Sequence, residues 1–364
     1  MGEESGRAMS SEYMPWAKSR SHARYNLATS GMANLSIAEL PVTLDDLELS
    51  GPSSYGYEPL QQALAARCAV GPECVVAANG TSMANHLAMA AMIEPGSEVL
   101  IEFPTYELIL STARYLGAEV KRFPRPIEAG FALDASEIER VVTPRTRLIV
   151  LTNLHNPSSA VTGEETMGEV GRIARKVGSK VLVDEVYLDA AFDAAPRSAF
   201  HLGEEFVVTS SLTKVYGLSG LRCGWIVAEP DLARRMWRLN DLFGVIPAHC
   251  AERLSVIALA HLDRIAAKSR TQLDANRIAL NRFLDSCEGL IAPRLEWGTT
   301  AFPRLVHGSV EDLCSLLREK YETTVVPGKY FEMPDHFRIG LGGEAGMLIE
   351  GLARLGAAIA ELSG

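Results

Sequence analysis

Lys214 is the residue whose type and position suggest chemistry most directly. It follows an apolar, strand-like run at residues 206–210, with a hydroxyl at Ser211 and an arginine, Arg222, eight residues later. A lysine amine held at the end of a sheet can form a Schiff base with a carbonyl compound. The glycine-rich segment after Lys214 lets the chain turn back, so that the planar guanidinium of Arg222 can hold a phosphate in the same pocket. The alternative is a surface lysine and arginine in a glycine-rich loop.

Polar or aromatic residues also follow four other apolar runs of the chain. They are Gly80, Thr81 and Ser82 after 75–78, Tyr106 after 98–102, Asn156 after 148–152, and Asp184, with Tyr187 beyond it, after 181–183. In an open α/β sheet, functional groups gather at the carboxyl ends of the strands. Five such ends make a shared site more probable than any one of them does alone.

Each candidate also has an ordinary structural explanation. The Gly-Thr-Ser segment can bind an anion at a helix N-terminus or simply cap that helix. Asp184 can pair with a protonated ring nitrogen or cap a helix, and Tyr106 can stack on a planar ligand or pack in the core. Asn156 with the proline after it can be a mere turn. Arg338, in a strand-like run near the C-terminus, can bind a carboxylate or lie exposed.

The alternation of apolar strands and amphipathic helices predicts an α/β fold with a mainly parallel sheet between helices. Beyond residue 225 the pattern changes to a helix at 230–241 and one long helix, extended or bent, at 252–283, followed by mixed strands and helices. We therefore expect a three-layer large domain at 48–250 and a smaller α+β domain at 251–364. Residues 1–47 are expected to form an N-terminal arm and part of the small domain.

Composition narrows the function classes. The 364-residue chain has a formal net charge of −10 and a pI near 5.4, which argues against a nucleic-acid or anionic-membrane partner. No apolar run approaches the roughly 18 residues of a membrane-spanning helix, and no signal-peptide pattern begins the chain, so a cytoplasmic protein is expected. Six cysteines and eight histidines lack the spacing of metal ligands, so no metal is predicted.

Taken in order, these motifs resemble the fold-type I pyridoxal 5′-phosphate (PLP) enzymes, specifically the class I/II aminotransferases related to aspartate aminotransferase. The shared motifs are Gly-Thr-Ser, Pro-x-Tyr, Asn-Pro, Asp-x-x-Tyr, Ser-x-x-Lys with an arginine eight residues later, and Phe-Arg-Ile. The resemblance runs from about residue 31 to residue 338. It implies the PLP-dependent transferase fold and PLP as cofactor.

The resemblance also implies a role for each candidate residue. Lys214 would carry PLP as a Schiff base, Asp184 would hold the ring nitrogen protonated, and Tyr106 would stack on the ring. Asn156 and Tyr187 would hydrogen-bond the phenolic oxygen of PLP. Lys214, Asp184 and Tyr187 would be the catalytic residues. The implied phosphate ligands are Gly80, Thr81, Ser82, Ser211 and Arg222, and the implied substrate-site residues are Gly31, Asn156 and Arg338.

The implied reaction is transfer of an amino group between an amino acid and a 2-oxo acid, with the freed amine of Lys214 moving a proton. A homodimer with shared active sites is also implied, in which Tyr55 is a candidate for reaching the partner's cofactor. The segment around Tyr55, at 51–57, is shorter than the family pattern.

Two other functions remain open. The same residues suit a PLP-dependent lyase or a cyclising synthase, which would release ammonia or a cyclic amino acid. A non-catalytic effector-binding domain, of the kind fused to transcription regulators, is disfavoured by the acidic chain and by the lack of a basic DNA-binding segment before residue 30. Substrate selectivity is expected in loops at 14–25, 243–249 and 297–300, which leave the amino donor open.

Overall fold

A central sheet of seven strands organises the computed structural model, which describes residues 9–52 and 54–363. Residues 1–8 of the predicted N-terminal arm lie outside the described residues. In chain order, the strands of the described residues are β1 (Tyr25–Asn26), β2 (Val75–Asn79), β3 (Glu98–Phe103), β4 (Glu119–Pro124), β5 (Thr146–Thr152), β6 (Lys180–Asp184), β7 (Phe206–Ser211), β8 (Cys223–Val227), β9 (Leu290–Ile291), β10 (Thr300–Ala301), β11 (Arg304–Leu305), β12 (Thr323–Thr324), β13 (Val326–Pro327) and β14 (Phe337–Gly340). The central sheet consists of β2 to β8, and the other strands form smaller sheets.

The strand order of the central sheet is β2-β8-β7-β6-β5-β3-β4. Strand β8 runs antiparallel to both of its neighbours, and the other pairings are parallel. The carboxyl ends of six strands and the amino end of β8 therefore lie at one edge of the sheet. This confirms the predicted mainly parallel sheet.

Helices surround the sheet, and their presence explains why its inner strands are apolar on both faces. Every residue of β7 and β8 is buried, as expected for strands covered on both sides. The helices are α1 (Tyr13–Ser19), α2 (Glu58–Cys68), α3 (Gly80–Met92), α4 (Glu107–Tyr115), α5 (Ala135–Val141), α6 (Glu164–Val177), α7 (Pro230–Asn240), α8 (His249–Ala260), α9 (Leu262–Ser286), α10 (Val310–Glu319) and α11 (Ala345–Ser363).

The C-terminal part combines short strands with helices, as predicted. Strands β10, β14 and β13 form an antiparallel sheet, and β9 pairs with β11. The N-terminal segment joins this part, because β1 pairs in parallel with β12. Ser309 caps α10 by accepting hydrogen bonds from two backbone N–H groups of its first turn. The proposed boundaries at 47/48 and 250/251 stay predictions.

The structure defines two of the sequence predictions more closely. The extended or bent helix predicted at 252–283 corresponds to α8 and α9, which are separated at His261, whose backbone angles (φ −117°, ψ 15°) are not helical. Leu262 and Ile265, at the start of α9, are buried. Residues 14–19 of the predicted selectivity loop lie in α1. None of the helices within residues 9–52 and 54–363 is long and apolar enough to cross a membrane.

Candidate active site

A cavity of about 220 Å³ opens at the carboxyl edge of the central sheet. It brings together nine of the residues predicted from the sequence, namely Thr81, Ser82, Tyr106, Asn156, Asp184, Tyr187, Ser211, Lys214 and Arg222. A larger cavity of about 290 Å³ lies between residues 34–40 and 217–221, but no titratable side chain lines it in the described part of the chain. The chemistry of the lining, and not the volume, therefore identifies the candidate site.

Asp184 is the buried carboxylate of the cavity and ends β6. Its Oδ2 accepts a hydrogen bond from Asn85 Nδ2 at 2.8 Å, and its Oδ1 accepts one from the backbone N–H of Val186 at 3.0 Å. Asn85 is itself fixed, because its Oδ1 accepts from Thr209 Oγ1 at 2.6 Å. Burial raises the pKa of Asp184 to about 6, while these two hydrogen bonds and the charge of Lys214 act in the opposite direction. A cationic partner in the cavity would favour the ionised form.

Lys214 follows β7 and directs its amine into the same cavity. Its Nζ donates a hydrogen bond to Ser30 Oγ at 3.1 Å and lies 6.0 Å from the centre of the Tyr187 ring. Gly31 packs directly on the lysine, since a Cβ at Gly31 would lie 3.2 Å from Lys214 Cα. Gly31 thus belongs to the wall of the site, behind Lys214.

Gly80 and Arg222 meet at the start of α3. The backbone N–H of Gly80 donates to the carbonyl of Arg222 at 2.8 Å, and a Cβ at Gly80 would overlap the Arg222 guanidinium. Both residues have positive φ angles, +75° and +50°, which are uncommon for a residue other than glycine. Backbone N–H groups at a helix start and a guanidinium form a corner that can bind an anion. Among the described residues, buried Thr81 Oγ1 has no hydrogen-bond partner, which leaves it available to a ligand.

Asn156 connects the cavity with Arg338 of β14. Its Oδ1 accepts from Arg338 Nη1 at 3.1 Å, and its backbone N–H donates to Thr152 Oγ1 at 2.9 Å. Arg338 is 1% exposed and also donates to Tyr13 Oη at 3.2 Å. Its Nε lacks a hydrogen-bond partner within the described residues. A buried guanidinium with an unpaired donor suits an incoming carboxylate.

Two aromatic rings meet beside the cavity. Tyr106 and Tyr13 meet edge to face, with ring centres 5.9 Å apart. Burial raises the pKa of Tyr106 well above 10, so this ring stays neutral. Met14, one residue after Tyr13, lines the cavity.

Four predicted residues are not in the lining of the cavity: Gly31, Gly80 and Arg338 contact residues that line it, whereas Tyr55 lies outside it. Tyr55 is 55% exposed, and its hydroxyl donates to Asp241 Oδ2 at 2.9 Å. Its predicted contact with a partner subunit stays a prediction.

Three positioning residues were missed from the sequence. Asn85, Thr152 and Ser30 contact Asp184, Asn156 and Lys214, respectively. Only Asn85 left a usable signal, since it lies four residues after Thr81 in an otherwise apolar helix face.

Comparison with known proteins agrees with this arrangement. The family model for class I and II aminotransferases matches residues 46–355. The chain belongs to this family. It is 33% identical over 355 residues to capreomycidine synthase from Streptomyces vinaceus, covering 93% of this chain and 91% of that protein.

Two aminotransferases are also similar over most of the chain. The aspartate aminotransferase of Streptomyces avermitilis is 26% identical over 336 residues, which cover 84% of this chain and 82% of that protein. The crystal structure of a PLP-dependent aminotransferase from Streptococcus suis superimposes with a TM-score of 0.88 at 26% identity, covering 93% of this chain and 94% of the other. The predicted family, fold type and cofactor are thereby confirmed.

PLP, the cofactor of this family, fits the residues of the cavity. The corner formed by Gly80, Thr81 and Arg222 offers donors of the kind that a phosphate requires. Asp184 offers a buried carboxylate of the kind that a protonated ring nitrogen requires. These two ends of the cavity match the two charged ends of the cofactor.

Proposed function

We propose that the protein is a PLP-dependent aminotransferase that moves an amino group between an amino acid and a 2-oxo acid. The observation that carries the proposal is the meeting of the Lys214 amine and the Asp184 carboxylate in one cavity, at the ends of neighbouring strands β7 and β6. A lysine that forms a Schiff base and a carboxylate that keeps a ring nitrogen protonated are the two groups that PLP chemistry requires.

The remaining side chains would hold the cofactor. Asn156 and Tyr187 would donate hydrogen bonds to its phenolic oxygen, and Tyr106 would lie against its ring. The residues proposed for the phosphate are Gly80, Thr81, Ser82, Ser211 and Arg222.

Arg338 would bind the substrate carboxylate. The guanidinium is buried, and Asn156 and Tyr13 orient it. A carboxylate could take the unpaired Nε and replace the Tyr13 hydroxyl as acceptor. Gly31 would allow the N-terminal segment to pack closely on Lys214, behind the substrate.

Lys214 would act as acid and base. Once the substrate amino group has taken its place on PLP, the free Lys214 amine would lie near the α-carbon of the substrate, where it could remove and return a proton. When bound, PLP supplies the electron sink that accepts the electron pair of the broken bond. Asp184 keeps that sink effective by its negative charge.

We also propose a homodimer with shared active sites. Tyr55 supports this, since its half-exposed ring lies outside the cavity of its own chain. In the dimer its hydroxyl would reach the cofactor phosphate of the partner subunit.

A second candidate function is a PLP-dependent cyclising synthase or lyase. The observation that favours it is the 33% identity with capreomycidine synthase over 93% of the chain. Both functions begin with the same proton removal, so the product separates them.

The test mixes the PLP-loaded protein with single amino acids in the absence of any oxo acid. Release of one oxo acid per site would support the aminotransferase and identify its donor. Continued release of ammonia or a cyclic amino acid would support the second candidate. If the loaded protein consumed no amino acid at all, both proposals would fail in favour of the effector-binding alternative.

A further inference from the structure

Ser30 lies between the two residues that carry most of the proposed chemistry. Its hydroxyl accepts a hydrogen bond from Tyr187 Oη at 2.8 Å and another from Lys214 Nζ at 3.1 Å. The residue is only 6% exposed. The proposed function gives Ser30 no role, although its hydroxyl touches the reacting amine.

Backbone contacts fix the hydroxyl relative to Lys214. The carbonyl of Ser30 accepts from Thr299 Oγ1 at 2.7 Å, and the N–H of Met32 donates to the carbonyl of Lys214 at 2.7 Å. Gly31, between them, packs on the lysine backbone. These contacts, on either side of Gly31, fix the distance between the Ser30 hydroxyl and the Lys214 amine, as is expected of a preorganised site.

The hydrogen-bonding capacity of a serine hydroxyl then becomes important. Such a hydroxyl accepts two hydrogen bonds and donates one. Tyr187 and Lys214 supply both of the accepted bonds in the structure. When the lysine amine is engaged elsewhere, Ser30 can turn its own hydrogen towards the oxygen of Tyr187. The phenolic hydrogen of Tyr187 is then left to point into the cavity, and hydrogen bonds in such a chain strengthen one another.

We infer that Ser30 is a positioning residue with two alternating tasks. It holds the Lys214 amine whenever that amine is not bonded to PLP, and it orients the phenolic hydrogen of Tyr187 whenever the amine is bonded to PLP. This inference rests on the proposed function, because it concerns the roles assigned there to Lys214 and Tyr187. The other charged groups of the cavity are Asp184 and Arg222.

The test is a pH titration of the visible absorbance of the PLP-loaded protein, without substrate. A hydrogen bond donated to the cofactor's phenolic oxygen stabilises the more negative, deprotonated form of the chromophore, so its weakening raises the titration midpoint. Ser30→Ala should raise the midpoint by roughly half to one pH unit. Tyr187→Phe, which removes the donor itself, should raise it further.

Three other variants make the result specific. Ser30→Thr keeps a hydroxyl and should have the wild-type midpoint. Ser30→Cys, whose thiol is a weak donor, should raise the midpoint as Ser30→Ala does, and it provides the same test if the alanine variant fails to fold. Ser255→Ala is the matched control, because Ser255 is equally buried and bonds the carbonyl of Ala251. It should leave the midpoint unchanged.

An unchanged midpoint in Ser30→Ala and Ser30→Cys, with a raised one in Tyr187→Phe, would overturn the inference and leave the proposed function standing. The proposed function has its own control in Lys214→Ala. If that variant kept the same pH-dependent absorbance band, Lys214 would not be the attachment residue, and both proposals would fail together.

Discussion

Replacing Asp184 by asparagine should remove the loss of stability that ionisation of the buried carboxyl causes in the cofactor-free protein as the pH rises to neutral and alkaline values. Burial raises the pKa of Asp184 from its ordinary value of 3.8 to about 6, so the folded protein binds this proton more tightly than the unfolded chain does. The contribution of Asp184 to stability is therefore fully present below pH 4 and is lost as the pH rises through 6. The difference between the two pKa values corresponds to about 3 kcal/mol above pH 7.

Asparagine at this position stays neutral at every pH and can still accept the hydrogen bond from the N–H of Val186. In urea unfolding of the cofactor-free proteins between pH 4 and pH 8, the stability of Asp184→Asn relative to wild type should therefore rise by up to about 3 kcal/mol. PLP should stabilise wild type more than Asp184→Asn, because its protonated ring nitrogen would pair with the carboxylate in wild type alone.

Glu185 provides the matched control. Burial also raises its pKa, to about 7, but its carboxylate accepts from the N–H of Ala199 and does not line the cavity. Glu185→Gln should show the same pH trend in the cofactor-free protein and keep the full stabilisation by PLP. A pH-independent difference between Asp184→Asn and wild type would refute the reasoning, as would equal stabilisation of both by PLP.

Three further predictions concern the anion corner, the substrate carboxylate and the core beneath the site. Gly80→Ala should lower PLP affinity in a fluorescence titration at least about tenfold, since its Cβ would overlap Arg222, whereas Gly96→Ala, with positive φ but open space around it, should leave the affinity unchanged. Arg338→Ala should raise the half-saturating amino-acid concentration at least about 100-fold, and an equal loss for amines without a carboxylate would contradict its role. Glu102→Gln should destabilise the protein by about 3–5 kcal/mol in urea unfolding, because it breaks the fully buried ion pair with Arg125; a loss below 1 kcal/mol would contradict this.

The sequence allowed those site residues to be predicted whose position depends only on the end of a strand. Asp184 and Lys214 end or follow apolar runs that were evident in the sequence, and parallel pairing brings such ends to one edge. The alternation of strands and helices likewise predicted the sheet. Strands β4 and β8 were missed, because the first has a mixed polar pattern and the second lies inside the glycine-rich segment after Lys214.

The partners of the site residues could not be predicted in the same way. Asn85 meets Asp184 across 99 residues of chain, and Ser30 meets Lys214 across 184. These contacts depend on how α3 and the N-terminal segment pack against the sheet, which local patterns do not encode. The position of the break between α8 and α9, at His261, was likewise not evident in the local pattern, and the start of α9 that follows it is buried.

The decisive measurement is the identity of the lysine that carries PLP. The loaded protein would be reduced with borohydride and digested, and its peptides would be examined by mass spectrometry. We expect one pyridoxyl group per chain, on Lys214, in wild type and equally in Lys180→Arg, where the replaced amine bonds a backbone carbonyl away from the cavity. A pyridoxyl group on any other lysine, or an undiminished adduct in Lys214→Ala, would contradict this assignment.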